Sequence, residues 1–360
     1  MKPFVFNGQP SRVVFGVGAL DELGEEIERL GAHRALVLST PQQRGSAEDV
    51  ATRLGERSAG VYDQAVMHVP IETAEAARAV AKELGADCCV AIGGGSTIGL
   101  GKAIALTSAL PVLAIPTTFA GSEMTPIFGI TAEGRKKTGR DARVLPKTVI
   151  YDPNLLRTLP ANIAGPSGMN AIAHCVEALY AQDSNPIVSL MAEEGIRTLA
   201  ACLPAVVSDA DNLDARSDAL YGAWLAGACL GMVGMALHHK LCHTLGGTFN
   251  LPHAETHTIV LPHATSYNRA AAPEAMMRVS RALNGGDPAG GLFDLTQRIG
   301  APVALKDIGM PREGLERAAR LATENPYYNP RPLEYEAILA LLTAAWHGER
   351  PGGAAQPSAT

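Results

Sequence analysis

The chain has 360 residues, of which 47% are hydrophobic and 18% charged, with a net charge of −6 and a pI near 5.9. That length exceeds what one hydrophobic core usually holds, so two packed domains with a cleft between them are expected. The composition excludes a disordered chain, and with no Lys/Arg run that resembles the footprint of a nucleic-acid binder, nucleic acid is set aside as a partner.

The first residues, MKPFVFNGQPSRVVFG, lack a basic segment leading into an apolar run, and no 18-residue apolar span follows anywhere. The expectation is a cytoplasmic protein that engages no membrane. From residue 34 to 153 the apolar runs RALVLST, VYDQAVMHV, CCVAIGGGS, PVLAIPTT and TVIYDP alternate with amphipathic stretches such as TAEAARAVAKELGA. This pattern predicts a parallel, Rossmann-like α/β domain over residues 1–154, its buried strands joined by crossover helices. Beyond Asp152-Pro153, PSGMNAIAHCVEALYA, NPIVSLMAEEGIRTLAACL, DARSDALYGAWLAGACLGM, PREGLERAARLATE and PLEYEAILALLTAAWHG all carry helical periodicity. They predict an all-helical substrate domain over 155–350, followed by a disordered tail, PGGAAQPSAT, over 351–360. The six cysteines lie mostly in apolar surroundings without a C-x-x-C pair, and read as free buried thiols.

Two loops of the first half are candidates for a nucleotide site, although a Ser/Thr-rich loop can also satisfy its own backbone. In AIGGGSTIGLGKA a strand runs into Gly93, Gly94, Gly95 and Ser96, with Thr97 opening a helical pattern. Glycines there let backbone N–H groups approach a pyrophosphate, and the helix N-terminus adds positive potential, although a plain tight turn would use the same residues. In IPTTFAGSEMTP a second strand end releases Thr117, Thr118, Ser122 and Thr125, hydroxyls able to bond phosphate, ribose or carboxamide. Both segments follow strands, where open α/β sheets bind ligands, and together they favour a dinucleotide.

The second half gathers imidazoles. In MNAIAHCVEA, Asn170 and His174 are four apart and share one helical face. Residues 235–263 hold six of the ten histidines; His239 and His243 are again four apart, and a Leu-Gly-Gly turn brings His253 back toward them. A lone histidine is usually core, but this density beside Asn170 and His174 points to one shared pocket. Asn170 is an odd ligand for a hard cation, since its carboxamide offers a neutral dipole where a carboxylate would offer charge.

Taken in order, GGGS with Lys102 six residues beyond Ser96, PTTFAGSE, N-x-x-x-H, H-x-x-x-H and a PH ten residues on resemble the iron-containing (group III) alcohol dehydrogenases over most of the chain. The resemblance implies a dehydroquinate synthase-like fold: an N-terminal α/β domain for NAD(P), a C-terminal helical domain, and a divalent ion held by one Asp and three His. Carried over, the ligand positions fall on Asn170, His174, His239 and His253, and His243 matches a histidine near the nicotinamide. The Asp is missing. Where the family usually has Asp three residues after GGGS this chain has Gly99, and the ribose-reading acid at a strand end is replaced by Thr40, which removes a charge that would repel a 2′-phosphate. NADH or NADPH is therefore expected, without metal.

These departures, with STIGLGKAIAL and LPHAETHTIVLPHA, resemble the metal-independent branch of the family, the maleylacetate reductases of aromatic-ring degradation, for which the resemblance implies reduction of maleylacetate to 3-oxoadipate by a homodimer. The chemistry is consistent. Hydride addition to an alkene conjugated with a ketone gives an enolate, which hydrogen-bond donors stabilise without a Lewis acid. Losing the Asp also removes a negative neighbour from a small-molecule dicarboxylate substrate, leaving Asn170, His174, His239 and His253 to bind it and His243, with His239 and His253 beside it, to handle the proton. Lys137 in EGRKKTG is a substrate-contact candidate or a surface charge, Tyr327 and Tyr328 line the cleft or cap a helix, His257 and His263 support the pocket or the core, and Cys242 makes the chain thiol-sensitive. The alternatives are a metal-dependent alcohol dehydrogenase with Asn170 as a neutral ligand, a phosphate-eliminating lyase that uses NAD transiently, and a cofactor-binding protein without turnover.

Overall fold

The structure, a computed structural model, describes residues 4, 6, 8, 11–132, 135–324 and 327–352. Most of the expected tail, residues 353–360, lies outside the described residues. Contacts divide the chain into two compact units, one of residues 7–159 with 210–232, the other of residues 1–6, 160–209 and 233–360.

The first unit is built on a six-stranded parallel sheet in the order β1-β8-β5-β4-β2-β3. Its strands are β1 (Arg12–Phe15), β2 (Ala35–Leu38), β3 (Ser58–Tyr62), β4 (Cys88–Gly93), β5 (Val112–Pro116) and β8 (Thr148–Tyr151). The four inner strands ALVL, CCVAIG, VLAIP and TVIY are buried throughout, as apolar runs covered on both faces must be. Helices α1 (Leu23–Arg29), α2 (Arg44–Leu54), α3 (Ile71–Glu83) and α4 (Gly95–Ser108) connect them. Edge strand β1 escapes sequence reading because only four residues pair, Arg12 through Phe15 against Thr148 through Tyr151. The run VYDQAVMHV enters the sheet only at Val61 and Tyr62, and ends at His68 and Val69, both with positive φ. An antiparallel pair was also not foreseen, β6 (Ile127–Ala132) with β7 (Arg135–Arg140), whose basic second strand RKKTGR gives no apolar alternation.

Helix α7 (Leu213–Met232) groups with this unit although it lies beyond residue 154. The reason is steric. A Cβ built on Gly227 would lie 2.7 Å from the Gly121 carbonyl oxygen, and one on Gly231 would lie 2.6 Å from that of Met124, so α7 sits directly on the 121–124 turn. Arg216, nearly fully buried, donates to the carbonyls of Ala210 and Leu156, and Trp224 packs within 6.5 Å of the Phe15 and Tyr151 rings.

The second unit is helical: α5 (Ala161–Tyr180), α6 (Pro186–Ser208), α8 (Leu237–Phe249), α9 (His253–Asn268), α10 (Pro273–Ala282), α11 (Pro288–Arg298), α12 (Leu315–Thr323) and α13 (Tyr335–His347). Leu237, Leu241 and Leu245 of α8 form one apolar face with Ile259 and Val260 of α9, Ala318 of α12 and Leu342 of α13. Helix α5 is buried continuously from Ala164 to Tyr180, and Gly168 makes room for the Leu203 side chain of α6. The expected turn at Leu-Gly-Gly is displaced. Gly246 and Gly247 continue α8, and the chain reverses at Asn250, whose φ of 54° is the left-handed conformation that Asn tolerates.

Candidate active site

In the α/β unit the candidate cofactor residues meet at the ends of β4 and β5. Gly93 has a φ of 151°, and a Cβ there would lie 2.5 Å from Thr97 Oγ1 and 2.8 Å from Gln43 Oε1; only glycine fits. A Cβ on Gly94 would meet the Thr118 methyl at 3.0 Å. The Thr117 N–H donates to the Gly93 carbonyl (3.1 Å), and Gln43 Nε2 donates to Thr117 Oγ1 (2.8 Å), tying the two strand ends together. Thr97 Oγ1 is buried without a hydrogen-bond partner, and α4, which starts at Gly95 and includes Ser96 in its first turn, has no side-chain cap. Its first N–H groups are thus those of an uncapped helix N-terminus at a glycine turn, suited to an anion. Thr40 follows β2 and precedes Pro41 in the same segment as Gln43. Gln43 was not foreseen, because a glutamine in a loop carries no sequence signal.

Ser122, through its carbonyl, and Thr125 also hold a buried lysine. Lys102, fully buried in α4, donates from Nζ to the Ser122 carbonyl (2.5 Å), the Thr125 carbonyl (2.8 Å), Thr125 Oγ1 (2.9 Å) and the Ile127 carbonyl (2.9 Å). Burial pushes the Lys102 pKa down to about 7, opposed by the charge of Glu123, yet only the ammonium has three N–H to share among four acceptors. Both residues therefore anchor the loop after β5. Lys137 stands exposed on β7 opposite Ile130.

In the helical unit the imidazoles do assemble. His174 of α5 stacks on His239 of α8, with centroids 5.1 Å apart and planes inclined at 30°. His243, one turn on, lies edge-on to His239 at 6.2 Å. His253 opens α9 at 4.3 Å from His257, which is 5.0 Å from His239. Asn170, His174 and His239 are buried, whereas His243 and His253 are exposed. Asn170 Oδ1, His174 Nδ1 and His239 Nε2 are buried without a hydrogen-bond partner, three polar atoms that a bound molecule would satisfy.

Burial first, then neighbouring imidazoles, hold His174, His238 and His257 well below the usual histidine range. These rings are neutral and act as hydrogen-bond donors or acceptors instead of supplying charge. Glu177, three residues beyond His174 on α5, was missed by sequence reading and accepts from the His239 ring (Nδ1 to Oε2, 2.7 Å). The available signal was a single carboxylate in an otherwise apolar stretch on the face of His174. His257 belongs to this cluster, with Nδ1 3.0 Å from His238 Nε2; His263 is buried on α9, and Tyr327 Oη is buried without a partner.

Models of the iron-containing alcohol dehydrogenases match residues 10–153, and a model of the C-terminal region of that family matches residues 165–346. The chain belongs to the iron-containing alcohol dehydrogenase family. Members are NAD(P)-dependent oxidoreductases. Within the family, the chain is 62% identical to a maleylacetate reductase of Burkholderia cepacia over 351 residues, 98% of this chain and 100% of the relative, and 57% identical to one of Sphingobium indicum, over 97% and 99%. A solved maleylacetate reductase of Rhizobium sp. strain MTP-10005 superimposes with a TM-score of 0.95 at 52% identity, covering 98% of this chain and 100% of that one.

The family name implies an iron ion, and the donor atoms test that implication. None of Asn170, His174, His239 and His253 is a carboxylate, so a cation bound there would have no anionic ligand among the four. Among the described residues, the His/Cys/carboxylate trio whose donor atoms gather within 4.8 Å is a different one, His238, Cys242 and His257. Its two imidazoles are hydrogen-bonded to each other, and with no cation present burial, then Glu177, holds the Cys242 thiol well above its usual range. The residues fit a resident iron poorly.

Proposed function

We propose that this chain reduces the carbon–carbon double bond of maleylacetate to 3-oxoadipate with NADH or NADPH and without a metal ion, as a cytoplasmic homodimer. The observation that carries the reading is Asn170: the family's carboxylate position is a neutral amide, its Oδ1 buried and partnerless beside His174 and His239. The glycine turn at Gly93–Gly95 and the hydroxyls of Thr117 and Thr118 take the dinucleotide, and Thr40 leaves room for either cofactor. When bound, the reduced nicotinamide would supply hydride to the alkene carbon remote from the ketone, and the electrons of the conjugated system would shift to the ketone oxygen to give an enolate. A proton then closes the adjacent carbon, so that one hydride and one proton are consumed.

Asn170, His174, His239 and His253 bind the dicarboxylate by hydrogen bonds, and His243, exposed to solvent on α8, donates to the enolate or delivers the proton. The test is NAD(P)H oxidation with maleylacetate, with and without EDTA. Turnover unaffected by the chelator is expected; activity lost with EDTA and restored by a metal would replace this reading with the metal-dependent alcohol dehydrogenase.

A further inference from the structure

Glu177 has no task in the reduction above, and its surroundings supply one. Helix α8 begins at Leu237 after Ala236, which offers no capping side chain, so its first N–H groups need acceptors from elsewhere. The fully buried Glu177 carboxylate of α5 provides them. Its Oε1 accepts from the His238 N–H (2.7 Å), and its Oε2 from the N–H groups of Ala236 (2.9 Å) and His239 (3.4 Å). The same Oε2 lies 2.7 Å from His239 Nδ1, so that nitrogen carries a hydrogen, and the ring's other nitrogen, Nε2, is the buried atom without a partner beside His174.

We propose that Glu177 is a positioning residue for the reduction: by accepting from Nδ1 it fixes the plane and tautomer of His239, so that Nε2 is the atom presented to the substrate. The inference rests on the maleylacetate reading for its substrate, and on the Glu177–His239 contact for its mechanism. The carboxylate keeps Nδ1–H in place whichever form the ring takes, which confines exchange with the ligand to Nε2. An amide at 177 would break that constraint, because its NH2 group can donate to Nδ1 and admit the opposite tautomer.

Two measurements test this on the full chain. In Glu177→Gln, kcat should fall by about 10- to 100-fold while KM for NADH stays within about twofold, the size of effect usual for a residue that orients a site ligand. In 15N-histidine-labelled wild type, the His239 resonances, assigned by their loss in His239→Gln, should show a protonated Nδ1, and Glu177→Gln should lose that signature. A folded Glu177→Gln with wild-type kcat, or a wild-type spectrum with a bare Nδ1, overturns the proposal. A Glu177→Gln that melts lower but keeps both kcat and the Nδ1 signature reduces Glu177 to a helix cap and also overturns it. If that variant does not fold, the wild-type spectrum decides. If the wild type does not consume NAD(P)H with maleylacetate, the functional reading fails, and the spectrum still decides whether Glu177 holds His239.

Discussion

Each imidazole of the helical unit has a setting of its own. His174, His238 and His257 are sealed and neutral, whereas His243 and His253 meet solvent and are able to exchange protons with it. On that division His243→Ala should lower kcat by about 100-fold or more, the usual contribution of a positioned proton donor. Steady-state kinetics at saturating NADH checks this, and a wild-type rate would remove His243 from the mechanism. The i, i+4 pairs Asn170/His174 and His239/His243 were legible because helical spacing makes them neighbours whatever else the fold does. Glu177 was not, because its partners are backbone N–H groups 59 to 62 residues away, and sequence spacing carries no trace of such a bond.

At the level of elements, the inner strands were legible because burial on both faces demands continuous apolar residues. The edges were not, since β1 and β7 pair on one side only and tolerate Arg and Lys. Helix α7 reads in sequence like any other helix, and its membership of the α/β unit depends on Gly227 and Gly231 meeting backbone atoms of the 121–124 turn. Gly227→Val should therefore force the helix off that turn at a cost of about 1–3 kcal/mol, the usual range for overpacking. Thermal melting should fall by several degrees, and KM for the cofactor should rise because Thr117 and Thr118 precede the displaced segment. An unchanged melting temperature would show that the turn yields freely.

For the whole molecule, buried histidines set the acid limit. Burial pushes the His263 pKa down to about 4 from its ordinary 6.5, so between these values the unfolded chain binds the proton that the folded chain refuses. His263 thus makes its full contribution above pH 6.5, and that contribution is lost as the pH falls toward 4; His174, His238 and His257 act in the same direction. The total for His263 is on the order of 3 kcal/mol at most. Melting temperatures at pH 7 and pH 5 should differ clearly in the wild type and less in His263→Leu. Equal differences would mean that His263 does not contribute.

The chain leaves the α/β unit after Leu159 and re-enters it for residues 210–232 before leaving again. On the ribosome this sets a schedule. The sheet strands are complete once Tyr151 has been made, but the 121–124 turn stays uncovered until about eighty further residues, α5 and α6 among them, have been synthesised. At about 5 to 20 residues per second that wait lasts about 4 to 16 seconds, and through it the nascent chain carries an α/β unit without its last helix.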